Sequence, residues 1–264
     1  FPRLPLMMLL LLLTIAFPWE IIGGKEARPH SRPYMAFVSI ETGINQRRKC
    51  GGFLIREDVV VTAAHCNCNL GNISVLLGAH NVKKEREWGR QKIWVRRRIP
   101  HPEFNDETGE NDIMLLQLAQ EARLSDQVQL IPLPRYGDKV KPRSVCSVAG
   151  WGLTSVIPGM DSNVLMEVDL EVMEDRVCSR RFPNKYKPGT MLCAGDQRGR
   201  KSSFKGDSGG PLVCGTVAQG IVSFGPKDAS PPEVYTRVSQ FIPWIKATME
   251  HLQALDPLEF SSCP

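Results

Sequence analysis

Three separated segments carry side chains that together have the chemistry to cleave an acyl bond. Gly206-Asp207-Ser208-Gly209-Gly210-Pro211 sets a serine in a glycine-dense turn between apolar stretches, where small neighbours let a substrate backbone approach closely. A serine hydroxyl is a weak nucleophile, so it needs a base within hydrogen-bond reach, and the base needs a third group to fix its tautomer. Thr62-Ala63-Ala64-His65-Cys66 offers the imidazole. Asn111-Asp112-Ile113-Met114-Leu115-Leu116 offers a carboxylate at the head of an apolar strand, where burial demands a partner for its charge. Each segment alone has an ordinary explanation: a histidine beside a cysteine is commonly structural, and an aspartate before a strand is commonly a turn residue. Together, in the order His65, Asp112, Ser208, they point to nucleophilic acyl transfer.

Residues so far apart in the chain need a framework to meet. Runs rich in branched and aromatic residues predict strands at Met35 to Ile40, Val59 to Ala63, Ser74 to Leu77, Met114 to Leu118, Ser147 to Gly150, Met166 to Val172 and Thr216 to Val222. All are short, and the 22 glycines and 20 prolines punctuate them with turns, so an all-β architecture is expected. One helix is expected near the end. Phe241, Trp244, Ile245, Met249 and Leu252 recur at helical spacing after Ser239, read as its N-cap, with Pro243 tolerated in the first turn. The boundary between two halves falls near Leu130 to Pro134, and the aperiodic tail from Asp256 to Pro264 is expected to fray.

With 264 residues, 42% hydrophobic and 23% charged, the chain can bury one large core or two small ones, which excludes disorder as its class. Leu4 to Ala16 is an apolar run behind Arg3, too short to span a bilayer comfortably, and reads as the hydrophobic region of a secretory signal peptide. Eight cysteines in a secreted chain favour disulfides. Cys66-Asn67-Cys68 has too short a spacing for a zinc knuckle, so neither a metal nor a cofactor is expected. Asn72-Ile73-Ser74 is an acceptor sequon, with an ordinary polar loop as the alternative. The net charge of +5 is concentrated in Arg47-Arg48-Lys49, Lys83-Lys84, Arg96-Arg97-Arg98, Arg180-Arg181 and Arg198 to Lys201. Any one cluster reads as a solvated face; five in one secreted chain point to a sulfated glycosaminoglycan or proteoglycan partner, and no nucleic-acid motif accompanies them.

Ile21-Ile22-Gly23-Gly24, the TAAHC and NDIMLL segments and GDSGGP resemble the chymotrypsin family of serine proteases. The likeness extends over nearly all of Ile21 to Leu252, including Ala149-Gly150-Trp151-Gly152 and Pro243-Trp244-Ile245. It implies two six-stranded Greek-key β-barrels of the trypsin-like kind with a C-terminal α-helix, the catalytic residues lying in the cleft between barrels. The implied organisation is a signal peptide over 1–18, an activation peptide over 19–20, barrel halves over 21–130 and 131–253, and a flexible tail over 254–264. His65 is then general base and acid, Asp112 its orienting partner and Ser208 the nucleophile, with the N–H groups of Gly206 and Ser208 as oxyanion hole. Cleavage before Ile21 would free an ammonium that pairs with Asp207, a switch ordering the pocket. Because Glu20 precedes that bond, a tryptic activator is not expected; the short segment resembles dipeptides removed by a dipeptidyl peptidase.

The same resemblance implies the pairs Cys50–Cys66, Cys146–Cys214 and Cys178–Cys193. Cys68 and Cys263 stay unassigned: free, joined to each other or used between chains. Phe204 stands where another half-cystine is common, and with Arg28-Pro29-His30-Ser31-Arg32-Pro33-Tyr34 this places the likeness in the granzyme, mast-cell chymase and cathepsin G branch. Ser202 is expected at the base of the primary pocket, Ser203 beside it, Gly225 on its wall and Glu233 entering from the far side. A neutral base favours aromatic or large apolar side chains, while Glu233 would receive Lys or Arg. Gly109, just ahead of Glu110-Asn111-Asp112, is expected to widen the adjacent subsite. Expected partners are protein and peptide substrates and serpin inhibitors; the expected location is outside the cell or in leukocyte granules. The competing reading is a basic glycan- or microbe-binding protein that keeps the protease fold.

Overall fold

The computed structural model describes residues 23–255 apart from 44–45, 68–70, 156–160, 197, 200 and 204. A two-residue strand, β1 (Lys25–Glu26), leads into six strands: β2 (Met35–Gly43), β3 (Gln46–Arg56), β4 (Val59–Thr62), β5 (Ile73–Leu77), β6 (Gln91–Pro100) and β7 (Met114–Leu118). They close into a barrel in the order β2-β3-β4-β7-β6-β5. β4 and β7 are buried at every position, because one face fills the barrel and the other is covered by packed chain. That is why both read as nearly continuous apolar runs, broken only by the buried Thr62 and Gln117.

The second half contains β8 (Val145–Gly150), β9 (Met166–Val172), β10 (Met191–Gly195), β11 (Pro211–Cys214), β12 (Val217–Phe224) and β13 (Glu233–Arg237). Successive antiparallel pairings run β8-β9-β10-β13-β12-β11 and return from β11 to β8, closing a second ring. β1 joins β9 from outside through Lys25 opposite Glu167 and Glu26 opposite Met166, so the chain before the first barrel is fastened to the second. The segment after β7 crosses between halves. The Ile131 N–H donates to Leu54 O at 3.0 Å, and the Ala218 N–H donates to Pro132 O at 3.1 Å.

Two helices accompany the barrels, α1 (Asp175–Arg181) and α2 (Val238–Leu255). α2 begins one residue before the expected cap, so Ser239 lies within the first turn and its hydroxyl donates to Asp138 O at 2.8 Å. Pro243 sits deeper in the helix than expected and lacks the N–H that would reach Ser239 O. That carbonyl accepts the Gly137 N–H at 3.3 Å instead, which satisfies the group the proline leaves over. Val238, Phe241, Ile242, Ile245 and Leu252 join the apolar core of the first barrel, so the terminal helix ties the two halves together.

All seven expected strand segments lie in strands to within one residue, while β1, β3, β6, β10, β11, β13 and α1 were not legible. β3 and β6 carry Arg47-Arg48-Lys49 and Arg96-Arg97-Arg98, which mask strand character. α1 is short and buries only Cys178, leaving no apolar stripe. Disulfides join Cys50 to Cys66, Cys146 to Cys214 and Cys178 to Cys193. The first clamps the turn bearing His65 onto β3, the second joins β8 to β11, and the third fixes α1 to β10. Cys68, Cys263, the leader and residues 256–264 lie outside the described residues, whereas 254–255, expected in the flexible tail, form the end of α2.

Candidate active site

His65 sits in a single 3₁₀ turn, Ala64–Cys66, immediately after β4, and Asp112 lies two residues before β7. Because β4 and β7 are hydrogen-bonded neighbours, with Thr62 opposite Met114, closing the barrel brings imidazole and carboxylate together. His65 Nδ1 is 2.8 Å from Asp112 Oδ2, and the His65 backbone N–H donates to Asp112 Oδ1 at 2.9 Å. Asp112 is 1% exposed, so its charge depends on these donors. A further donor to the carboxylate comes from the second barrel, and another hydroxyl there holds the Asp112 backbone. The Ser223 hydroxyl donates to Asp112 Oδ2 at 2.5 Å, and the Thr236 hydroxyl donates to Asp112 O at 2.8 Å. Ser223 stands in a β-bulge, where β12 pairs through Val222 and Phe224 and the residue between them is released to turn toward the aspartate.

These contacts set the electrostatics. Burial alone would raise the Asp112 pKa, but the hydrogen bonds and charge of His65, with the Ser223 hydroxyl, hold it below the usual carboxylate value. Burial alone would lower the His65 pKa, but the hydrogen bond and negative charge of Asp112 hold it above the ordinary 6.5. The imidazole is thus oriented through Nδ1 and made more basic at its other nitrogen.

Ser208 arrives on the loop before β11. This loop is stitched to both barrels: the Gly51 N–H donates to Ser208 O at 2.8 Å, and the Gly209 N–H donates to Val222 O at 2.9 Å. Gly209 has φ +84°, and a Cβ there would lie 2.2 Å from Thr62 Oγ1, so a side chain would push the serine loop away from the histidine strand. Ser208, His65 and Gly206 line one pocket of about 420 Å³. The N–H groups of Gly209 and Gly210 are consumed by Val222 O and Asp207 O. Those of Gly206 and Ser208 meet no acceptor among the described residues and border this pocket, the arrangement needed to receive a developing oxyanion. Asp207, fully buried, accepts the Gly152 N–H at 2.8 Å. A Cβ on Gly152 would fall 2.6 Å from its carboxylate, so glycine is required there. Ile21 lies outside the described residues.

Ser203, Ser208, Gly225 and Glu233 line a neighbouring pocket of about 190 Å³. Ser202 is not on its wall but behind it, buried, with its Oγ 2.9 Å from Glu233 Oε1. Glu233 Oε2 occupies space that any Cβ at position 225 would need, at 1.6 Å, so Gly225 is what admits the carboxylate. On the far side of Ser208, the larger pocket is rimmed by Arg47, Arg48, Lys49 and Lys205 with Asp161 among them. The Lys49 Nζ pairs with Asp161 at 2.6 Å and donates to Trp151 O at 3.0 Å, alongside Gly206. A third pocket shares Ser223, Phe224 and Gly225 with the Glu233 pocket and carries Asp106 and Glu107 on its rim. Gly109 lines it too: a Cβ there would lie 2.8 Å from Phe224 Cε1, so glycine keeps this subsite open.

Ser223, Thr236 and Lys205 were not singled out by the sequence, and Lys49 was read only as part of a basic cluster. The signal for Ser223 is a lone hydroxyl in the apolar run Ile221-Val222-Ser223-Phe224. Asn72 is exposed just before β5, as an acceptor must be. Among the described residues, no group of three or more His, Cys, Asp or Glu side chains is placed to hold a metal ion.

Comparison with known proteins gives a consistent set of relatives. The family model described as Trypsin matches residues 21–245. Cathepsin G of Homo sapiens is 52% identical over 257 residues, covering 97% of this chain and 98% of the relative. Duodenase-1 of Bos taurus is 55% identical over 250 residues, covering 92% and 96%. Granzyme B of Homo sapiens is 52% identical over 248 residues, covering 93% and 98%. A solved structure described as "Structure of GrC" superposes with TM-score 0.82 at 46% identity, covering 88% of this chain and all of that one.

Proposed function

The chain belongs to the trypsin family of serine endopeptidases, and from that premise we propose that it cleaves after large aromatic or apolar residues and also after basic ones. The observation carrying this reading is a buried carboxylate, Glu233, at the edge of a pocket whose lining includes the small and apolar residues Ser203, Val222, Phe224 and Gly225, together with Lys205 and Lys227. In the proposed mechanism, Ser208 Oγ attacks the scissile carbonyl while His65 Nε2 takes its proton. Asp112 holds the imidazole with Nδ1 protonated and stabilises the imidazolium that forms. The Gly206 and Ser208 N–H groups bind the oxyanion, each such donor contributing about 3 kcal/mol in the transition state. His65 then gives its proton to the leaving amine, and water repeats the sequence to release the acyl group.

Activation follows from Asp207. An ammonium freed at Ile21 would add an ion pair to this buried carboxylate, ordering the Gly206 to Ser208 loop at the same time. Secretion or granule storage, serpin inhibitors and a sulfated-glycan partner for the basic clusters belong to the same reading, supported by the charge distribution and by relatives such as cathepsin G and granzyme B. The cationic rim formed by Arg47, Arg48 and Lys205 complements acidic residues following the scissile bond.

One experiment tests these points together. The protein processed to begin at Ile21 is profiled on an unbiased peptide mixture, with the unprocessed chain alongside. Cleavage after Phe, Tyr, Leu, Lys and Arg is expected from the processed protein alone, with Asp and Glu enriched on the leaving side. Glu233→Gln is expected to lose cleavage after Lys and Arg by about tenfold or more while keeping aromatic cleavage, since only a charge-assisted contact is removed. Basic cleavage unchanged in that variant, or absent from the parent, would refute dual specificity.

A further inference from the structure

Glu233 Oε1 and the Ser203 carbonyl share one hydroxyl. Ser202 Oγ is 2.9 Å from Glu233 Oε1 and 2.8 Å from Ser203 O, and it owns a single proton. A carbonyl only accepts. If Ser202 donates to Ser203 O, its contact with Glu233 is a hydrogen bond only when the carboxyl carries a proton and donates to Ser202 Oγ. If Glu233 is ionised, Ser202 must turn to it and release Ser203 O. The protonated acid therefore satisfies both contacts, whereas the carboxylate satisfies one.

From this geometry we infer that Glu233 is a proton-gated specificity residue: as a neutral acid it leaves the primary pocket suited to aromatic side chains, and as a carboxylate it admits arginine. The inference rests on the dual-specificity reading above and adds its control.

Burial and the neighbouring acidic groups act in the same direction. Glu233 is 5% exposed, and burial pushes its pKa up to about 7, against the Ser202 hydrogen bond that favours the charged form. The negative charges of Asp207 and Asp228 add to the rise. From its own strand, the Tyr235 hydroxyl faces the same space and is held by Ser203 Oγ at 3.1 Å. Lys205 and Lys227 line the pocket as well, and their positive charges favour the carboxylate. Oε2 lies against Gly225 on the pocket wall, where an entering side chain meets it.

The sign follows directly. Below its pKa Glu233 is neutral and above it Glu233 is negative, which shifts the pocket toward negative charge, so preference for arginine rises with pH. Arginine itself stays charged throughout. The test measures kcat/KM between pH 5 and 9 for two peptides identical except for Arg or Phe before the scissile bond. Their ratio cancels the titration of His65, which serves both. A ratio rising about tenfold between pH 6 and 8, as a single proton with a midpoint near 7 requires, is expected. Glu233→Gln, which cannot ionise and presents an amide to Ser202, should give a flat, low ratio with the Phe peptide still cleaved. A flat ratio in the parent with both peptides cleaved would overturn the gate while leaving dual specificity standing. Failure to cleave the Arg peptide at any pH would overturn both, and failure on the Phe peptide as well would overturn the protease reading beneath them.

Discussion

Replacing Ser208 with alanine is expected to lower kcat on the order of 10⁶-fold without disturbing the fold. The asymmetry follows from what each part of the residue does. Its carbonyl receives the Gly51 N–H and anchors the loop across the barrels, and alanine keeps that bond. The hydroxyl is lost from a residue that lines the pocket shared with His65 and Gly206. KM should change little, because the subsites that hold substrate remain. Some acceleration over water should survive, since the donors at Gly206 and position 208 are backbone groups that alanine retains. The measurement is steady-state kinetics on one peptide, with thermal unfolding as control and labelling by a serine-directed phosphonate as a second readout. Activity within tenfold of the parent, or phosphonate incorporation in the variant, would remove Ser208 as nucleophile. An unlabelled parent after correct processing would favour the binding-protein reading.

The second large effect concerns Asp112→Asn, expected to cost about 10⁴-fold in kcat with side-chain shape nearly unchanged. The carboxylate accepts from three donors at once: the His65 backbone N–H, His65 Nδ1–H and the Ser223 hydroxyl. An amide has one accepting oxygen. If that oxygen keeps the backbone N–H, the NH₂ group faces Nδ1 and forces it to accept, which moves the ring proton to Nε2, where a base must be free. The pH profile provides an independent signature. In the parent, activity rises with pH as His65 loses its proton, with a midpoint above 6.5 because Asp112 stabilises the imidazolium against burial. Without the negative charge burial prevails, and the midpoint should move to lower pH. A midpoint that stays in place would mean that Asp112 does not set the basicity of His65.

Much of this site was legible before folding was considered. His65, Asp112 and Ser208 announce themselves because the neighbours chemistry demands are local: small residues around the serine, an apolar strand behind the aspartate, a cysteine that pins the histidine turn. The barrel strands at 59–62 and 114–118 were equally plain, since complete burial makes them apolar apart from one polar residue each, Thr62 and Gln117. β3 and β6 escaped notice because their outward residues are basic. β13 is buried throughout yet reads Glu-Val-Tyr-Thr-Arg, because its polar side chains find partners on other elements: Ser202 for Glu233, the Asp112 carbonyl for Thr236 and the Met191 carbonyl for Arg237.

The amino-acid order by itself pointed to the groups proposed to do the chemistry, and to seven of the strands. Tertiary structure alone decided that Ser223, freed by a bulge, completes the shell of Asp112, that Lys49 lies along Gly206, and that one hydroxyl is divided between Glu233 and a backbone carbonyl. The reason is physical. A catalytic side chain is selected for its own reactivity, which residue type reveals, whereas its protonation and orientation depend on how many donors reach it in a buried space, and those donors come from strands brought together only when the barrels close.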